Sequence, residues 1–374
     1  MKINSIGFYS LNQYSLNKSQ TAYSKNRFTA VDDFSAVDSF KRIPVNFTGR
    51  GALKRFKAIL NMENICPSCG IKMIPQDIFL ETFSKEATPT KTKESLKLLR
   101  KFRRNMHPIE KGVYKLLRKE NRRGKYETVD KILQKIRPRH LEKLQSSEFK
   151  ILDEIESLGE GLSVKSKIML LNYTKNARII ISDDNKINQF KRKRFILNME
   201  KVKNNIPEKD IGEKIYQTSI KINTSENDIN AFVVKYSART NREIVQRLVC
   251  KSVSTIEHTK PQSLGGEDLI KNFLSECEHC NSERHHTDLD EWIRIMPQMI
   301  KNIQKHMNKI IKYINRGLLK GFETYPIDIG KTLKTESKEL IKLDTSRLRV
   351  KKGTETEKRQ PQFLNTFCKF FLRM

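Results

Sequence analysis

No apolar run in this sequence approaches the roughly 20 residues that a membrane-spanning helix needs. The first twenty residues carry an early lysine, Lys2, but lack the apolar stretch of a secretory signal, so neither export nor anchoring is expected. A cytoplasmic chain keeps its thiols reduced. The six cysteines therefore read as metal ligands or core residues and not as a disulfide framework. Hydrophobic residues make up only 37%, low for a compact globule yet above a wholly disordered chain, which predicts packed domains with large solvated faces and loose ends. Internal repeats are absent. Acidic residues are in short supply too: 43 Asp and Glu face 73 Lys and Arg, for a formal charge of +30. Such an imbalance repels itself in the compact state, and a polyanionic partner is the usual reason to keep it. Nucleic acid is the leading partner. A merely solubilising basic surface and an anionic membrane surface are the weaker alternatives.

Along the chain, residues 1–48 are rich in Ser, Asn and Thr without sustained periodicity and read as a disordered leader. Leu53 to Leu60 forms a short basic helix leading into Cys66-Pro67-Ser68-Cys69-Gly70. From about 90 to 222 the pattern is helical, with Leu96, Leu99, Ile109, Val113, Leu116 and Leu117 at helical spacing and a break at Pro138. Between Lys91 and Lys125 there are 14 Lys and Arg against 3 Asp and Glu. Arg100, Lys101, Arg103 and Arg104, and later Lys191, Arg192, Lys193 and Arg194, are candidate phosphate contacts, with an ordinary solvated helix face as the alternative. Thr240-Asn241-Arg242-Glu243 fits a capping box, and Val253 to Ile256 has the β-branched character of a short strand. Beyond Trp292 a helix continues through Ile311 with a kink or restart at Pro297.

Two groups of residues carry chemistry. The first runs from Glu257-His258 through Pro261, Gly265-Gly266 and Asn272 to Cys280-Asn281 and Arg284-His285-His286. An acidic residue beside a histidine places a metal ligand next to a general base, and imidazole takes a proton from water near neutrality. Phosphodiester hydrolysis also needs charge neutralised on the phosphate, which a divalent ion supplies. Asn281 and His285 stand four apart and share a helical face, while Gly265-Gly266 permits a tight reversal. Adjacent strand residues face opposite ways, so Glu257 and His258 serve one site only if the strand ends there. The second group is Cys66-x-x-Cys69 and Cys277-x-x-Cys280, a four-thiolate zinc site if the pairs meet in space.

The run Glu-His, Pro-x-Ser-x-Gly-Gly, Asn, Cys-x-x-Cys-Asn resembles the HNH endonuclease family, whose core is a ββα-metal finger. His258 lies 14 residues before Asn272 and 23 before Asn281, in agreement with that family. The resemblance implies that His258 is the general base, that Asn272 braces it, and that Glu257 and Asn281 hold a catalytic Mg²⁺ or Mn²⁺. It also makes His285 an additional metal ligand and Arg284 a phosphate contact. The products would carry 5′-phosphate and 3′-hydroxyl ends. Glu257 departs from the commoner aspartate, which bears on metal preference. HNH proteins often pair two such cysteine motifs around one zinc, but here 208 positions separate Cys69 from Cys277. The region between them then reads as an insertion, which loop-closure entropy tolerates because it grows only logarithmically.

The fold class expected is α+β and predominantly helical: a small ββα-metal core with a zinc knuckle and a large helical insertion. The divisions are 1–48 leader, 49–82 first half of the zinc-bound core, 83–228 basic insertion, 229–300 HNH core, 301–345 helical region and 346–374 basic tail. The activity expected is cleavage of DNA, double-stranded first, with catalytic Mg²⁺ or Mn²⁺ and structural Zn²⁺. A degenerate zinc-stapled nucleic-acid binder and an RNA-cleaving, toxin-like effector are the alternatives.

Overall fold

The computed structural model describes residues 50–84 and 89–349, so the leader and nearly all of the basic tail lie outside the described residues. The chain is α+β with helix predominating: fourteen α-helices and one two-stranded antiparallel sheet among the described residues. The helices in chain order are α1 (Arg50–Leu60), α2 (Gln76–Thr82), α3 (Thr92–Phe102), α4 (Pro108–Gly124), α5 (Val129–Leu158), α6 (Val164–Ser182), α7 (Arg192–Asn205), α8 (Lys209–Ser219), α9 (Ile229–Tyr236) and α10 (Asn241–Cys250). Then come β1 (Ser254–His258), β2 (Phe273–Cys277), α11 (Glu278–Arg284), α12 (Leu289–Ile295), α13 (Met299–Asn315) and α14 (Tyr325–Glu336).

Local chemistry sets several of these boundaries. Thr240 and Glu243 close the capping box of α10 reciprocally, with the Thr240 amide 2.9 Å from Glu243 Oε2 and the Glu243 amide 3.3 Å from Thr240 Oγ1. The chain restarts between α12 and α13 around Pro297, whose missing N–H cannot continue a helix. Pro138 behaves otherwise: α5 runs unbroken through it, where the sequence predicts a break. Pro138 and Gln134 are both exposed, so the carbonyl that loses its partner is on the solvated side. Ile132, Leu133 and Ile136 before the proline and Leu141, Leu144 and Leu152 after it are buried in two different cores, and that packing outweighs the lost bond.

The apolar side chains form three clusters. The first joins α1 to β2, α12, α13 and α14, with the Phe56 ring edge-on to Phe273 and Tyr325 at 5.5 and 5.9 Å. The second gathers α3, α4, the start of α5 and α10 around Leu99, Leu117, Phe232 and Leu248. The third unites the rest of α5 with α6, α7 and α8. Buried ion pairs tie these layers: Arg247 to Glu110 at 2.7 Å, and Arg192 to Glu148, whose carboxylate is fully buried. Removing one partner of such a pair leaves an uncompensated charge, a loss of roughly 3–5 kcal/mol.

The first cluster unites residues from both ends of the sequence. Just after the first cysteine pair, Ile74 donates to the Ser252 carbonyl at 2.8 Å and accepts from the Ser254 amide at 2.9 Å. The long helical region thus leaves and returns at one point. That closure places Cys66 and Cys69 beside the strand pair that ends in Cys277.

Candidate functional site

The two cysteine pairs meet. The ligating sulfurs of Cys66, Cys69, Cys277 and Cys280 all lie within 4.8 Å of one another, with Cys69 and Cys277 3.7 Å apart. Four sulfurs at ~2.3 Å from one tetrahedral ion stand about 3.8 Å from each other, so the donor set fits structural zinc. A turn holds the first pair, through the Cys66 amide to the Ile71 carbonyl at 2.8 Å and the Gly70 amide to the Cys66 carbonyl at 2.9 Å. The second pair sits at the end of β2 and in the first turn of α11. Around them Trp292 Nε1 donates to Ser68 Oγ at 2.9 Å, Ser68 bonds Glu276, and Glu276 lies 4.0 Å from the Cys66 sulfur. Burial pushes the Glu276 carboxyl up to about 7. His306 is fully buried, donating from Nδ1 to the Ile65 carbonyl at 2.7 Å and facing Ser275 Oγ at 3.4 Å, which ties the first pair to β2. Burial drives its pKa down to about 4, so it stands neutral. Cys250 stays outside the cluster and donates to the Arg247 carbonyl.

β1 and β2 pair antiparallel, with Glu257 opposite Leu274 and His258 opposite Phe273. α11 follows directly, giving strand, loop, strand and helix in that order. The loop, residues 259–272, folds back on itself: Gly265 turns at φ 84° and Gly266 lies so close to the Lys260 carbonyl that any Cβ would collide with it. Asn272, buried at the loop's far end, accepts from the Lys260 amide at 2.8 Å and donates to the Lys260 and Glu267 carbonyls at 3.1 and 3.0 Å. It braces the loop backbone that begins one residue after His258 and makes no bond to the imidazole itself.

His258 is the last residue of β1, 19% exposed, its ring edge-on to Phe273 at 5.0 Å. Its Nε2 lies 2.8 Å from Asp268 Oδ1, which also accepts from Gln262 at 2.7 Å. A carboxylate on Nε2 holds the proton there and leaves Nδ1 as the basic nitrogen. Asp268 does not stand out in the sequence as a partner of His258. The available signal was a carboxylate between the Gly-Gly turn and Asn272, which becomes meaningful only once the loop folds back.

Glu257 lies on the other face of the strand. It is buried and pairs with Arg284 Nη1 at 3.0 Å, while Arg284 also donates to the carbonyls of His258, Thr259 and Thr287. Burial pushes the Glu257 carboxyl up, and the guanidinium opposes it. Arg284 is 1% exposed, so this guanidinium clamps the strand end and is not presented to a phosphate. The strand does end after Glu257-His258, but the alternation still holds at its last two residues. Asn281 lies across the Glu257 face, donating to Thr255 Oγ1 at 3.0 Å and the Ile256 carbonyl at 2.7 Å, with its own oxygen left as an acceptor. His285, at φ 51° and ψ −105°, holds a backbone conformation that side-chain-bearing residues rarely adopt. It is exposed and stacks edge-on to His286 at 3.9 Å, and His286 Nδ1 meets Ser263 Oγ at 3.0 Å. The loop thereby meets His258 through Asp268 and the segment after α11 through Ser263.

The basic candidates divide. Arg100 and Lys101 close the last turn of α3, where cations favour the helix terminus, and Arg103 and Arg104 follow it. All four are exposed, and no carboxylate pairs with them among the described residues. In the second run Lys191 and Arg194 are exposed, and Lys193 reaches Glu283 of α11 at 3.5 Å. Arg192 is occupied by Glu148 with both carboxylate oxygens engaged and holds α7 to α5, so its role is packing. His279, inside the second cysteine pair, is half-buried and packs against His107 at 4.6 Å.

No family model, curated protein or solved structure matches this chain.

Proposed function

We propose that this protein is an endonuclease of the HNH type that hydrolyses phosphodiester bonds in nucleic acid, DNA first, on a scaffold stapled by zinc at the four cysteines. The observation that carries this reading is His258 at the end of β1, partly exposed, with Asp268 2.8 Å from Nε2 and a loop braced by Asn272. Asp268 fixes the imidazole tautomer, and Nδ1 takes the proton from the attacking water. A divalent ion bound nearby would neutralise charge on the scissile phosphate and the leaving oxygen. Asn281, through its unengaged oxygen, and exposed His285 suit such an ion, whereas Glu257, buried on the face away from His258 and paired with Arg284, is not free to join them. The net charge of +30 supports a polyanionic substrate.

Incubating the purified chain with plasmid, single-stranded DNA and RNA, with and without Mg²⁺ or Mn²⁺, tests the reading. Nicking or linearisation of plasmid that depends on the divalent ion is expected. RNA cleavage without DNA cleavage would move the substrate, and no cleavage of any of them in any metal would reject the enzyme. The second reading, a zinc-stapled binding module, is favoured by the Glu257–Arg284 pair, which leaves the acidic residue of the Glu-His dipeptide neutralised.

Binding itself is assigned to the unpaired cations. Each phosphate neutralised on duplex DNA contributes about −0.9 to the slope of log K against log salt. Converting Arg100, Lys101, Arg103 and Arg104 to Glu is therefore expected to weaken binding and flatten that slope by roughly 3 to 4 if each meets a phosphate. Fluorescence anisotropy across a salt series measures both quantities, and an unchanged slope would leave the run as a solvated face.

A further inference from the structure

Among the described residues, the cysteine cluster receives one polar contact from the long helical region. His107 stands just before the first turn of α4, is 7% exposed, and places Nε2 3.6 Å from the Cys277 sulfur. Its position is built from both sides. Two residues earlier, Asn105 donates to the Lys72 carbonyl at 2.8 Å and accepts from the Ser252 hydroxyl, fastening the backbone to the first cysteine hairpin and to the lead of β1. Next in the chain, Pro108 fixes φ at the first position of α4. His279 packs edge-on against the imidazole at 4.6 Å, and the two histidines line a cavity of about 210 Å³ with Glu110 and Glu226. Those carboxylates face Arg247, at 2.7 and 3.9 Å, so neither competes for the ring. The His107 nitrogens are not among the donor atoms that gather within 4.8 Å, so His107 touches a ligand and not the ion.

Four thiolates around a divalent cation carry a net charge of −2, and an N–H donor to one sulfur spreads that charge. Such outer donors orient the ligands, and their loss typically costs 10–100-fold in metal affinity. We propose that His107 is a positioning residue of the metal centre, donating Nε2–H to the Cys277 thiolate and fastening the start of the basic helical region to the bound ion. The proposal rests on the four-cysteine metal site and is independent of the nuclease reading.

The test uses the full chain loaded with Zn²⁺ or Co²⁺ and two variants that separate the bond from the packing. His107→Phe keeps a ring and removes the donor; His107→Gln keeps a donor near the Nε2 position and removes the ring. His107→Phe is expected to release Zn²⁺ to a chromophoric chelator at least about tenfold faster than wild type. It should also shift the thiolate-to-cobalt charge-transfer band, which packing alone would not move. His107→Gln should stay near wild type in both measurements, and all three chains should hold one ion. Wild-type release and an unshifted band in His107→Phe would overturn the proposal, as would faster release from His107→Gln than from His107→Phe. A wild-type chain that binds no ion would overturn the four-cysteine site, and this proposal with it.

Discussion

His258→Ala is expected to lower metal-dependent plasmid cleavage by about a hundredfold or more, the usual scale of a general base's contribution. Binding should persist, because affinity is assigned to exposed cations such as Arg100, Lys101, Arg103 and Arg104, which do not touch His258. Bound zinc should persist as well, since His258 is not part of the cysteine cluster. Asp268→Asn should lose part of the same rate, because an amide can still meet Nε2 but no longer favours a single tautomer. Asn281→Ala should fail by another route, a weaker catalytic ion, and excess Mg²⁺ or Mn²⁺ should restore part of its activity. No metal concentration should restore His258→Ala to the same extent. Rates of plasmid nicking over a metal titration read all three variants. Full activity in His258→Ala would sink the mechanism. Equal metal rescue of His258→Ala and Asn281→Ala would make His258 a ligand and not a base.

Cys66→Ser is expected to abolish stoichiometric zinc and to melt the first core. Structural zinc in small finger domains contributes roughly 10 kcal/mol or more of apparent binding energy, comparable with the entire 5–15 kcal/mol stability of a typical domain. Cys66 is fully buried, and the same cluster contains Phe56, Phe273, Ile303 and Tyr325. Loss of the ion should therefore expose α1, β2 and α13 together, read as lost near-ultraviolet dichroism and faster amide exchange in those elements. The second and third clusters have their own buried residues and should exchange more slowly. Chelation of the wild-type protein should reproduce the effect, and Cys250→Ser should not, because Cys250 stands outside the cluster. Unchanged zinc in Cys66→Ser would rule out the shared site.

The parts of this protein legible in its sequence are those whose cause is local. The capping box at Thr240 and Glu243 depends on residues three apart, and the restart at Pro297 on one missing N–H. The predominance of helix follows from apolar residues at helical spacing, and the meeting of two Cys-x-x-Cys pairs from the ligand number that a tetrahedral ion demands. Pro138 was misleading because its local penalty is fixed while the packing that overrides it comes from two distant cores. The roles of Glu257, Arg284 and Arg192 were equally hidden. A charged residue reads the same in sequence whether it faces water or a buried partner, and only the packing of α11 on β1 and of α7 on α5 made these into ion pairs.

Asp268 and His107 lie at the same boundary. Each is ten residues or more from the group it meets, Asp268 across the Gly-Gly turn and His107 across 170 positions from Cys277. The sequence alone determined which residues could hold a metal, take a proton or meet a phosphate, because those capacities belong to side-chain chemistry. The tertiary structure alone decided which of them are free to do so. Burial and pairing engage Glu257, Arg284 and Arg192, and leave His258 partly exposed beside Asp268, the Asn281 oxygen unengaged and the cations at the end of α3 exposed.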